Sequence, residues 1–228
     1  MITLFYRKIY AMKTADLTEF YVVRHGQTAA NLQAMIQGQQ DTLLDETGEL
    51  QVNCLAEFLK DAKFDIVYVS DLKRTRATAA AIMQYHPDTP VFFTPELREW
   101  HLGALEGRSF AELNGAYPLL MQQIRQSSFD AAPPEGESMP QFQERINRFM
   151  EKIASEHPNQ KILLVTHGGV LQRIFNLAVG VVGSGNLRPL CHNASLSVFQ
   201  RRNAQWQLAV WNNTSFMHLT SANDTITL

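Results

Sequence analysis

Three short apolar runs, each breaking off into a polar cluster, constrain this chain more than any other feature. Phe20-Tyr21-Val22-Val23 runs into Arg24-His25-Gly26-Gln27-Thr28, and Ile66-Val67-Tyr68-Val69 into Ser70-Asp71-Leu72-Lys73-Arg74-Thr75. Ile162-Leu163-Leu164-Val165 runs into Thr166-His167-Gly168-Gly169. Continuous β-branched and aromatic runs suit strands buried on both faces, as in a parallel sheet. Val91-Phe92-Phe93 is a weaker fourth strand.

Helical patterns separate these strands. Asp45 is placed to N-cap a helix running to about Lys60, with Leu50, Cys54, Leu55, Phe58 and Leu59 as its apolar face. A second helix is predicted from about Leu72 to Tyr85. A third runs from about Met139 to Glu156, with Phe142, Ile146, Phe149, Met150 and Ile153 on one side. A fourth starts near Gly169 and carries Leu171, Ile174, Phe175 and Leu177. Strand–helix alternation predicts an α/β three-layer sandwich around a mainly parallel central sheet. The stretch 107–140, with Pro118, Pro133, Pro134 and Gly136, reads as a helix-and-loop insertion capping that sheet within a single domain spanning 1–228. From Ala194 to about Asn212 two further strands are expected, with a turn at Asn203-Ala204.

Bulk properties exclude several functions. With 228 residues and 45% of them apolar, the chain can bury a full core. A formal net charge of −2 gives no electrostatic basis for nucleic-acid or membrane binding, so any anion site must be built locally. Cys54 and Cys191 form neither a metal-ligand spacing nor a disulfide framework, which points to the reducing cytoplasm. No apolar run reaches membrane-spanning length. Residues 1–11 mix apolar side chains with Arg7 and Lys8 and lack the features of a secretory signal. They are expected to be an N-terminal extension, with Met12 a possible start.

Ligands of open α/β sheets bind just beyond the carboxyl ends of the strands. That topology would gather Arg24, His25, Arg74 and His167 in one pocket. A phosphate monoester is largely dianionic at neutral pH, its second pKa being about 6, and guanidinium forks bind its oxygens in bidentate fashion. His25 is then the candidate nucleophile. Flanking cations disfavour its imidazolium form, and its other ring nitrogen is expected to donate to a backbone carbonyl, fixing the tautomer. Gly26 and Gly168 would let the backbone approach the bound anion. The leaving alkoxide needs a proton, and Glu96, Glu99 and Glu106 are the nearby candidates. A carboxyl against bound phosphate is kept protonated by the like charge and can serve as general acid.

At this point the chain resembles the histidine phosphatase superfamily, which contains phosphoglycerate mutases and many phosphatases. The resemblance rests on Arg24-His25-Gly26 with Thr28 and Asn31, on Arg74 followed by Thr78-Ala79, and on Glu99 ahead of Gly103 and Glu106-Gly107. It continues through Gly136-Glu137-Ser138 and His167-Gly168 and spans about residues 19–213. It implies that His25 is phosphorylated, that Arg24, Arg74 and His167 complete the phosphate pocket, that Glu99 donates the proton, and that Asn31 and Gln37 line the pocket, with Gly168 beside it. It implies a phosphoglycerate mutase-like fold, and a small phosphorylated metabolite as substrate, with no metal and no cofactor.

The segment between Glu99 and His167 is short, and its Pro133-Pro134-Glu135-Gly136-Glu137-Ser138 resembles the broad-specificity phosphatase branch. Hydrolysis is therefore favoured over cofactor-dependent mutase activity. A non-catalytic phospho-ligand binding module is the other alternative. It would need the arginines but neither His25 nor Glu99.

The remaining polar residues carry blander expectations. Arg76 and Glu96 belong on the surface, and Glu106 orients a loop. His101 and His192 have no metal-ligand spacing, and His86, His157 and His218 are surface residues. Phe110, Tyr117 and Phe129 pack in the core or cap. Arg108, Arg125 and Arg145 are candidates to reach the substrate's tail.

Overall fold

The computed structural model describes residues 17–126, 128–181 and 187–217. The expected extension at residues 1–11 and His218 lie outside them. Among the described residues six strands form one sheet: β1 (Leu17–Arg24), β2 (Ile66–Ser70), β3 (Val91–Thr94), β4 (Lys161–Thr166), β5 (Leu196–Arg202) and β6 (Gln205–Asn213). Their order is β3-β2-β4-β1-β5-β6. The β3-β2-β4-β1 portion is parallel, and β5 runs antiparallel to both β1 and β6. The helices are α1 (Ala29–Leu32), α2 (Glu46–Leu59), α3 (Lys73–Met83), α4 (Phe110–Ala116), α5 (Pro118–Arg125), α6 (Met139–Glu156) and α7 (Gly168–Ala178). No helix among the described residues is long and apolar enough to cross a membrane.

Strand alternation divides the core between two helical layers. Phe20, Val22, Ile162 and Leu164 pack under α6 and α7, together with Leu113, Met121 and Ile124 from the α4–α5 segment. Val23, Val67, Val69, Leu163 and Val165 face the other way, under α2 and α3. The sheet is thus a filling between two layers, as the apolar runs imply. Helix α6 spans the predicted range with its predicted apolar face buried, and a Ser138–Gln141 capping box starts it. The last two strands meet at Asn203 and Ala204, both with positive φ (50° and 63°), as tight hairpins require.

Helix α2 departs from the expected face. Leu50 and Phe58 are 61% and 48% exposed, while Val52, Leu55, Ala56 and Leu59 are buried. The cause is Gly48, one turn before Val52: a Cβ there would collide with the Gln27 carbonyl oxygen. Contact between this bare backbone and the loop after β1 fixes the helix rotation, and the hydrophobic pattern alone cannot show that contact. His86 is buried rather than on the surface, its Nε2 near the Leu59 carbonyl and its ring edge-on to Phe64. His157 is half-buried, paired with the Tyr68 hydroxyl at 2.8 Å. Phe129 is 39% exposed, so it packs less than expected.

Replacing a helical glycine by alanine ordinarily stabilises by about 1 kcal/mol. Gly48→Ala should instead destabilise by about 1–3 kcal/mol, because the added methyl overpacks against Gln27. Chemical denaturation checks the sign.

Candidate active site

Strand register brings the three polar clusters together. Val23 and Val69 both pair with Val165, so Arg24, Ser70 and Thr166 end their strands at one level. His25 follows β1, His167 N-caps α7 after β4, and Arg74 opens α3 after β2. The chain leaves β1 towards β2 on one side and leaves β4 towards β5 on the other. Their adjacent ends therefore form the crevice of a topological switch point.

His25 is 3% exposed. Its Nδ1 lies 2.7 Å from the Gly26 carbonyl, which can only accept, so Nδ1 carries the proton. That leaves a lone pair on Nε2, which has no hydrogen-bond partner among the described residues. Burial, and then the charges of Arg74 and Arg24, push the His25 pKa well below its usual value, while the Gly26 bond opposes them. The result is a neutral imidazole whose tautomer is fixed. Asn193 secures the loop by donating from Nδ2 to the carbonyls of His25 and Gly26 and to Asn31 Oδ1.

Arg74 is fully buried. Its Nη1 donates to the Gln40 carbonyl at 2.6 Å, its Nη2 to the Gly38 carbonyl at 2.8 Å, and its Nε to His167 Nδ1 at 3.2 Å. Since Nδ1 of His167 accepts, its Nε2 carries the hydrogen and donates to Ser70 Oγ at 2.8 Å. Burial and then the neighbouring Arg74 hold His167 neutral as well, and its ring centre is 5.2 Å from that of His25. Burial lowers the Arg74 pKa to about 10, so it stays charged at neutral pH. Arg24 donates to the Cys191 carbonyl from the other side of the crevice.

Glu99 follows the short 3₁₀ turn Pro95–Leu97. Its carboxylate accepts from the Trp100 and Gly169 backbone N–H groups, both at 2.9 Å. A Cβ at Gly169 would strike Glu99 Oε1, so the second glycine of the His167 cluster makes room for the acid. Arg145 holds the segment. It forms a bidentate pair with Glu137 and donates to the carbonyls of Glu96, Arg98 and Glu99.

Arg24, His25, Asn31, Gln37, Arg74 and Glu99 all line one cavity. His167 and Gly168 stand behind its wall, His167 against Arg74 and Gly168 against Arg24. Asn31 Oδ1 is engaged by Thr28 and Asn193, and Gln37 accepts from Thr42. Gly26 does not admit a ligand; a Cβ there would meet Gly48 and Val52, so it admits α2. Glu106 orients the loop by accepting from Gln39 and Leu102 N–H, and Glu96 pairs with Arg148 at the surface.

None of the three arginines expected to reach a substrate lines the cavity. Arg145 is the clamp just described, Arg125 pairs with Asn114, and Arg108 lies over Tyr117. Arg173 and Arg188 line it instead. The four-residue spacing from Gly169 was the available signal for Arg173; Arg188 and Asn193 had none. Among the described residues, no group of His, Cys, Asp or Glu side chains is placed to hold a metal ion.

An α/β sandwich around a mainly parallel sheet, with a neutral histidine near two arginines at its switch point, defines the class of this chain. The chain belongs to the histidine phosphatase superfamily (branch 1), whose family model matches residues 20–214. It is 35% identical to a metal-independent phosphoserine phosphatase of Arabidopsis thaliana over 91% of this chain and 85% of that one. It is 31% identical to a probable phosphoglycerate mutase of Escherichia coli, with 86% and 90% covered. A mycobacterial glucosyl-3-phosphoglycerate phosphatase superposes with a TM-score of 0.77 at 28% identity, covering 85% of this chain and 98% of that one.

Two buried neutral histidines make folding stability pH-dependent. Both have lowered pKa values in the folded state, so the unfolded chain binds more protons as pH falls through about 6.5. Their contribution is complete above that pH and is lost on acidification, each at about 1.4 kcal/mol per pH unit. Denaturant unfolding between pH 6.5 and 5 should show this slope, and His25→Asn should remove roughly half of the histidine part.

Proposed function

We propose that the protein is a metal-independent phosphomonoester hydrolase that works through a phosphohistidine on His25. The observation that carries the reading is the His25 Nδ1–Gly26 carbonyl bond, which leaves a lone pair on the cavity wall beside Arg24, Arg74 and Glu99. Nε2 attacks phosphorus, the P–O bond to the alcohol breaks, and a proton is delivered through Glu99 to the departing oxygen. Water then attacks the phosphorus of the phosphohistidine. Glu99 takes the proton from that water, the P–N bond breaks, and inorganic phosphate leaves with His25 neutral again. Arg24 and Arg74 stabilise charge on the equatorial oxygens, Asn31 and Gln37 complete the polar wall, and His167 positions Arg74. Gly168 leaves space for Arg24.

On this reading the chain works as a single domain, with residues 107–140 as a cap over the site. Phe110 and Ile124 of that segment line the cavity. Its substrate is a small phosphorylated metabolite. The cytoplasm is its place of action, and both cysteines are unpaired. The phosphatase names borne by two of the relatives above support hydrolysis. Mutase activity remains the second reading because one relative is named a probable mutase. The binding-module alternative gives no use to a neutral, tautomer-fixed His25 or to Glu99 held by two N–H donors.

Hydrolysis of p-nitrophenyl phosphate should survive a chelator and vanish in His25→Ala. With an alkyl phosphate, whose leaving group needs the proton, Glu99→Gln should lower kcat by about 10²–10⁴-fold. It should leave vanadate binding nearly intact. Activity that the chelator abolishes would overturn the reading, and unchanged kcat in Glu99→Gln would move the acid role elsewhere.

A further inference from the structure

Residues 191–195 lie against the loop that carries His25, and none of them takes part in the chemistry just described. Arg24 donates from Nη1 to the Cys191 carbonyl and from its backbone N–H to the Ser195 carbonyl, and the Ala194 N–H donates to the His25 carbonyl at 3.0 Å. Asn193 is buried inside this turn. Its Nδ2 is 3.1 Å from the His25 carbonyl oxygen, 3.3 Å from that of Gly26 and 3.2 Å from Asn31 Oδ1. The two carbonyls can only accept, so the amide must present its NH2 end to them. The turn is also strained. Ala194 is fully buried with φ at 51°, a left-handed conformation that a residue with a Cβ keeps only where its surroundings enforce it. Asn212 anchors the turn from behind by accepting from the His192 N–H.

The Gly26 carbonyl matters most among these acceptors. It takes the His25 Nδ1 proton at 2.7 Å, and that bond leaves the lone pair on Nε2. The carbonyl has a second lone pair, and Asn193 occupies it. A glycine restrains its own peptide planes very little, so the direction of this carbonyl has to be set from outside. Thr78 Oγ1 accepts from the Gly26 N–H and Gln51 Oε1 from the Gln27 N–H, while Asn193 holds the carbonyl oxygens of both peptide groups. As Nε2 bonds to phosphorus the ring gains positive charge and Nδ1 keeps its proton, so the bond to Gly26 becomes charge-assisted. A carbonyl turned aside would let the other tautomer form, with the proton on Nε2 and no lone pair there for attack. The competent fraction of the protein would fall accordingly.

We infer that Asn193 is the positioning residue of the nucleophile: by fixing the His25 and Gly26 carbonyls it keeps His25 in the tautomer whose lone pair is on Nε2. This rests on the hydrolase reading above and adds to it how the attacking nitrogen is selected.

Asn193→Ala and Asn193→Asp test it together, because aspartate keeps the shape of the side chain and lacks its N–H groups. Nitrogen NMR of isotope-labelled histidine rings, with His25 assigned by its absence in His25→Ala, should show a single Nδ1–H tautomer in the wild-type protein and a mixture in both variants. In both, kcat/KM should fall by about 10–100-fold. The factor should be the same for p-nitrophenyl phosphate and for an alkyl phosphate, since attack rather than proton donation is impaired. Inhibition by inorganic phosphate should be nearly unchanged, because Arg24 and Arg74 remain to hold it. Asn212→Gly accepts the positive φ of that position (51°) and loosens the same turn while leaving Asn193 in place, so it should keep the single tautomer. A single Nδ1–H tautomer in the folded Asn193 variants, or wild-type kcat/KM in Asn193→Asp, would overturn the positioning role. An equal loss in Asn212→Gly would assign the effect to the turn as a whole and overturn it too. If the alanine variant fails to fold, Asn193→Ser, which also lacks the amide, is read in the same way. Absence of turnover in the wild-type protein would overturn the hydrolase reading, and the tautomer readout alone would then decide the role of Asn193.

Discussion

The site depends on a fully buried guanidinium. Removing Arg74 from water costs several kcal/mol unless its donors are satisfied. Here they are met by the carbonyls of Gly38 and Gln40 and by a ring nitrogen of His167. The loop between α1 and α2 therefore wraps around Arg74, and His167 is committed to one tautomer in order to accept from it. Burial, and then the same charge, keeps both histidines neutral. Burial and a cation held in place by backbone thus leave a neutral His25 imidazole whose Nδ1 is fixed on the Gly26 carbonyl. It needs no metal to lower a pKa, because burial and two guanidiniums do so directly.

The carboxylate is governed by a separate device. Glu99 is fixed by two backbone N–H groups, and the segment carrying it by Arg145, which bridges α6 to three of its carbonyls. One cluster at the start of α7 serves both halves of the site. His167 orients Arg74, Gly168 lies against Arg24, and Gly169 admits Glu99. The junction of β4 and α7 thus holds Arg74, Arg24 and Glu99 in place.

Much of this was legible in the sequence, and the physical reasons are clear. Apolar runs ending in Arg24-His25, Ser70 and Thr166-His167 show where buried strands stop. A parallel sheet then brings those ends together whatever the loops do. The requirement that a nucleophilic imidazole be neutral predicted a carbonyl partner for His25, and Gly26 supplies it. Other features depended on contacts between segments far apart in the chain. The rotation of α2 is set by Gly48 against Gln27, and Gly26 serves that contact rather than a ligand. Arg145 looked available for substrate because a sequence does not show that Glu137 and three carbonyls already hold it.

The most direct test of the account is to rapid-quench a reaction with p-nitrophenyl phosphate in the presence of a chelator and locate any phosphoryl group on the chain by mass spectrometry. The account predicts an acid-labile phosphoryl group on Nε2 of His25, appearing before steady-state release of phosphate and absent in His25→Ala. Chelator-resistant turnover with no phosphorylated protein at any time point, or with the phosphoryl group on another residue, would contradict it.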